Sequence, residues 1–258
     1  MRYGLLRDLD RVLQAGISGT MSSPPPVSRL VRIVIMLGTC VGAGIGMFAI
    51  FRGVADDSMS QSRVWMQPIA SALKVPALFL LTVATTLPSL YVFNMLLGPG
   101  LGMRDLTRTI FRSLVVMVTV LTSVIPIILF FSIVTSNYSF MKILVAAFAT
   151  FAGLLGIRVI LGELMRESKP DLPCSTPQTP GEPVVSTTAA DRTLRLRSGG
   201  NLVLFFVWSS IFALVGSQMA WILRPFIGSP DADFTWFRPS GGNLFLDLFE
   251  TLRGLFAG

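Results

Sequence analysis

Residues 75–100 read VPALFLLTVATTLPSLYVFNMLLGPG. The first 23 of them, up to Leu97, carry no charge. As a helix rising about 1.5 Å per residue, they cover the roughly 30 Å hydrocarbon core of a bilayer. Lys74 stands before the run, and Gly98, Pro99 and Gly100 punctuate its far end. Four further stretches have the same character, at residues 33–51, 113–134, 143–161 and 202–223. The expected fold class is therefore all-α: a polytopic membrane protein with five transmembrane helices.

Composition agrees. Of 258 residues, 52% are hydrophobic and only 14% are charged, and the mean hydropathy is +0.69. These values belong to the membrane class. The net charge is +7, with no block of like charge and no basic run interleaved with aromatics, so nucleic acid is not an expected partner. Histidine is absent, which removes His-ligated haem, H-E-x-x-H zinc sites, Ser-His catalysis and His proton relays. Of the two cysteines, Cys40 falls in a span and Cys174 in a linker, so no disulfide is expected.

Outward from the central stretch, five regions emerge. Residues 1–28 combine an amphipathic segment with a Pro-rich hinge, MSSPPPVS. Leu5, Leu9, Val12, Leu13 and Ile17 share one helical face. That face fits the membrane interface and, equally, the protein's own inner surface. Residues 29–162 hold spans 1 to 4. Gly38 and Gly42 form a G-x-x-x-G, followed by Gly44 and Gly46; packing within one copy is favoured over dimerisation. The loop 53–74 has its own amphipathic part, with Trp65, Ile69 and Leu73 spaced by four. Ala149/Gly153 and Ala152/Gly156 repeat the small-residue spacing in span 4. Residues 163–201, rich in Pro, Ser and Thr, read as a flexible cytoplasmic linker, with 168–190 at its heart. Residues 202–223 are span 5. Residues 224–258 form an extracytoplasmic tail ending in a short interfacial helix over 244–256.

Placing the N-terminus inside gives the inner segments 14 of the basic residues and the outer segments 7. This bias predicts a cytoplasmic N-terminus, an extracytoplasmic C-terminus and residence in the cytoplasmic membrane.

No Asp, Glu or Lys falls inside the five predicted stretches, which argues against proton coupling and intramembrane aspartyl proteolysis. Nor is there a Walker loop, a G-x-S-x-G or a Cys cluster. Three polar features remain. Thr82, Thr85, Thr86 and Ser89 surround Pro88 in span 2; they fit hydroxyls bonded to their own helix or the lining of a solute path. Asn94 and Gln218 fit interhelical hydrogen bonds. Arg104, Arg108 and Arg112, spaced by four, together with Arg224, are candidate contacts to lipid phosphates or a partner.

LPSLYVFN (87–94), LGPGLGMRDLTRTIF (97–111), SNYSFMK (136–142) and WILRPFIGSP (221–230) resemble a bacterial family of five-span membrane proteins related in layout to Yip1-type proteins. The resemblance covers roughly residues 60–250, and WILRPFIGSP is its most specific part. Some members carry the label of an actin-binding WH2-domain protein; the basic L-K-K-T/V type turn of a WH2 motif does not occur here. The resemblance implies five helices, a cytoplasmic N-terminus and a scaffold or adaptor role, with no enzymatic activity and no catalytic residues; no cofactor is expected. The functional expectation is a non-enzymatic scaffold or accessory subunit whose partners are membrane lipids and other membrane-protein subunits or a second copy. The alternative is a homo-oligomeric channel or facilitator for a small solute or ion.

Overall fold

A computed structural model describes residues 7, 9–14, 25–55, 65–97, 103–135, 137–167, 206–223, 226–227, 236 and 244–256. Among these the chain is all-helical. The helices are α1 (Val27–Ala55), α2 (Met66–Leu97), α3 (Met103–Val134) and α4 (Tyr138–Glu167), then α5 (Phe206–Leu223) and α6 (Leu244–Phe256). The first five are each long and apolar enough to cross a membrane.

α1 is the centre of the bundle because its glycines admit neighbours on two sides. Gly38, Gly42 and Gly46 lie one turn apart on the side facing α2. A Cβ on Gly42 would overlap the carbonyl of Ser71 and lie 2.8 Å from the Ala72 Cα; on Gly46 it would lie 2.6 Å from the Pro68 Cα. Only hydrogen fits there, so two backbones meet directly, as small residues permit in apolar surroundings. Gly44, rotated to another side, faces Ile125 of α3. Leu30, Ile33, Val34, Val41 and Phe48 fill the same core with Val115 and Val118 of α3.

α3 and α4 form a tight antiparallel hairpin. Asn137 caps α4 by accepting from the amide of Phe140 at 3.2 Å. Ala152 is fully buried, and Gly156 packs beside the Ser113 carbonyl, whereas Gly153 looks into open space. The N-terminal segment also joins the core: Val12 is 1% exposed and Leu9 packs beside it. The alternative in which this face packs on the protein itself therefore describes residues 9–14.

The helices overrun the predicted stretches. The largest difference is in α2, whose apolar span runs Met66–Val92 and takes in Lys74. The expectation that no Lys falls inside a span rested on a helix beginning after that residue. Ile69 and Leu73, 67% and 64% exposed, are on the outward face of the same helix, and Trp65, 56% exposed, stands in the turn that opens it. The linker core at 168–190 lies outside the described residues.

Candidate functional site: a polar latch at one end of the bundle

The inward face of the first turns of α2 carries Gln67, Ser71 and Lys74 at helical spacing. All three are buried, at 4%, 0% and 3% exposure. This inverts a water-soluble amphipathic helix: apolar residues face out and polar ones face in. The close approach of α1 through Gly42 and Gly46 seals one flank of this face.

What the polar face meets is main chain that follows α5. Gln67 Nε2 and Ser71 Oγ both donate to the carbonyl of Phe226, at 3.2 and 2.6 Å. A carbonyl has two lone pairs and accepts both. Lys74 Nζ donates to the carbonyl of Trp236. A hydrogen bond from a charged donor contributes about 1.5–3 kcal/mol, and a buried polar group left without one costs at least as much. Three side chains of one helix thus hold two carbonyls that lie more than 150 residues later in the chain.

α5 packs in the register this latch requires. A Cβ on Gly216 would lie 3.5 Å from Thr82 Cγ2, and Phe226, further along the chain, meets Ser71, further back on α2, so α5 runs antiparallel to α2. Trp208 and Trp221 are buried near its two ends, and the Trp208 ring lies 5.4 Å from that of Phe212. A second tie holds the C-terminal helix. Asp247, in the first turn of α6, accepts from Lys142 of α4 at 2.7 Å. The Lys142 ammonium also sits 5.8 Å from the Tyr138 ring centroid, and that ring lies 6.5 Å from Phe48 of α1. The acid sits where a helix N-terminus favours negative charge.

The residues singled out from sequence are distributed differently. Thr82 and Thr86 face the core; Thr85 and Ser89 are exposed. The hydroxyls of Thr82, Thr85 and Thr86 donate to the carbonyls of Leu78, Leu81 and Thr82, one turn back on their own helix. Of this group, Thr82 is brought to α5. Asn94 lies in α2, but its side chain is outside the described residues; Gln218 is half-buried on α5. Arg104 is exposed, Arg108 and Arg112 are half-buried, and Arg224 lies outside the described residues. Sequence reasoning missed Gln67, Ser71 and Lys74. Their spacing, opposite Trp65, Ile69 and Leu73, was the available signal.

The fold and its inward polar face define a multi-pass membrane protein. No family model, curated protein or solved structure matches the chain.

Proposed function

We propose that the protein is a non-enzymatic membrane scaffold, or accessory subunit of a membrane complex, which presents its peripheral helices to other membrane proteins. The observation that carries this reading is the unequal covering of the spans. The apolar window of α1 is 56% buried within one copy, but those of α4 and α5 are only 17% buried each. Phe206, Val207, Leu214 and Ile222 lie exposed along α5, while the latch after it holds the helix in place. A rigid core with uncovered but anchored outer helices suits a partner that packs on those helices. The buried hydroxyls of Thr82, Thr86, Ser113 and Ser132 are occupied by carbonyls of their own helices, which also supports a structural role. The distribution of basic residues supports a cytoplasmic membrane location with the N-terminus inside.

The test is the mass and composition of the tagged protein extracted in mild detergent from its host. A stoichiometric second polypeptide is expected. A homo-oligomer without a partner would turn the reading to the channel. That second reading draws on Thr85 and Ser89, whose exposed positions on α2 would line a path only between copies. Solute flux in liposomes that vanishes in Thr85→Val plus Ser89→Ala would support it.

A further inference from the structure

Helix contacts fix which residues share a depth in the membrane. Gly44 of α1 meets the side chain of Ile125 of α3, and Phe48, one turn on, reaches Tyr138 just beyond the end of α3. α1 and α3 therefore run parallel here. About three turns back along both, on the order of 18 Å, lie Arg32 and Ser113. Gly156 of the antiparallel α4 packs beside the carbonyl of that same Ser113. Arg32, Arg112 and Arg158, each within two residues of this level, thus form one tier across three helices. Arg29 and Arg108 stand about one turn further out.

The tier lies where a bilayer changes from hydrocarbon to headgroup. Residues 33–51, between Arg32 and Arg52, are uncharged and as a helix span roughly 30 Å. Arg32 and Arg158 are exposed. Each stands at the end of an exposed apolar strip on its own helix. Met36, 47% exposed, lies one turn inward from Arg32; Leu154 and Phe151, 58% and 56% exposed, lie one and two turns inward from Arg158. A guanidinium over an apolar strip matches an amphiphile with an anionic head, since the planar fork takes phosphate oxygens in pairs. At the opposite end, Lys142 is paired with Asp247, and Lys74 donates to a carbonyl.

We infer that this tier binds anionic phospholipid at two positions, Arg32 and Arg158 each holding a headgroup phosphate and the apolar strip beneath each holding acyl chain. The site is independent of the scaffold reading and would persist in a channel.

Native mass spectrometry of the full chain in mild detergent, with phosphatidylglycerol or phosphatidylcholine added, tests it. Preferential retention of phosphatidylglycerol is expected, weakening as ionic strength rises. Arg32→Gln plus Arg158→Gln should lower its affinity about fivefold per arginine removed and leave phosphatidylcholine retention unchanged. Arg32→Lys plus Arg158→Lys, which keeps the charge, should recover part of the loss. Arg253→Gln, on α6, should change nothing. Equal retention of the two lipids, or unaltered phosphatidylglycerol binding in the glutamine pair, would overturn the inference. So would full displacement of the lipid by equimolar inorganic phosphate, which would make the tier a site for the free anion.

Discussion

Lys74, in the third turn of α2, donates its ammonium to the main-chain carbonyl of Trp236, and only 3% of the residue is exposed. The cation is thus held inside an apolar helix bundle by a segment far along the chain. Removing it tests how much the latch contributes. Lys74→Ala withdraws the donor and leaves a void, and a loss of about 2–4 kcal/mol is expected. Lys74→Met withdraws the same donor but fills the space and removes a buried charge, so it should cost less. Thermal unfolding in detergent orders the two; equal stability of Lys74→Ala and the parent would mean that the latch holds nothing.

Ser71 and Gln67 share one acceptor, the carbonyl of Phe226. Either donor alone keeps that carbonyl satisfied. Ser71→Ala or Gln67→Leu should each cost roughly 0.5–1.5 kcal/mol. The double variant should cost more than their sum, because the carbonyl then loses both donors. A double-mutant cycle measures the coupling, and strict additivity would contradict a shared acceptor.

The glycines make a graded series. Gly42→Ala drives a methyl into the Ser71 carbonyl, main chain that cannot swing aside, so α1 and α2 must part. A loss of at least about 2–3 kcal/mol is expected. Gly38→Ala meets Pro76 at 3.4 Å, ordinary contact, and should be nearly neutral. Gly153→Ala meets nothing within 4 Å and should stabilise by roughly 0.5–1 kcal/mol through helix propensity. Any other order of the three melting temperatures would contradict the packing of α1.

The Lys142–Asp247 pair is partly solvated, its side chains 25% and 35% exposed. Asp247→Asn should therefore cost only about 0.2–1 kcal/mol of global stability. Its larger effect should be local, with α6 cleaved faster in limited proteolysis while α1 to α4 stay protected. Unchanged cleavage would show that α6 is held by its apolar contacts instead.

The spans were legible because a charge-free run of some twenty residues suits little besides the crossing of a bilayer. The limits of α2 were not, for a physical reason. A lysine reads as the end of an apolar segment when water is assumed to solvate it; here a carbonyl does so. Gly38 and Gly42 announced a close helix contact by their spacing, and Gly46 continues it. Their partner stretch, Pro68 to Pro76, holds the small residues Ala70, Ser71 and Ala72 in a row rather than at four-residue spacing, so no helical stripe announces it. The hydroxyls around Pro88 share one helix, but Thr82 and Thr86 are buried while Thr85 and Ser89 are exposed, a division set by neighbours far away in sequence, such as Gly216 beside Thr82. The latch was least visible. Its acceptors are main-chain carbonyls, which every residue carries, so nothing in the letters at 226 or 236 distinguishes them.

That anonymity has a temporal counterpart. Lys74 and Trp236 are 162 positions apart, so a ribosome elongating at about 5–20 residues per second needs on the order of ten to thirty seconds between them. During that interval α3, α4 and α5 are themselves being made, and the ammonium still lacks the carbonyl it ends against. Closure arrives only after the fifth span has been made. The first turns of α2, made early, thus reach their hydrogen-bond partners only after α5 exists, so the bundle does not close in the order in which it is synthesised.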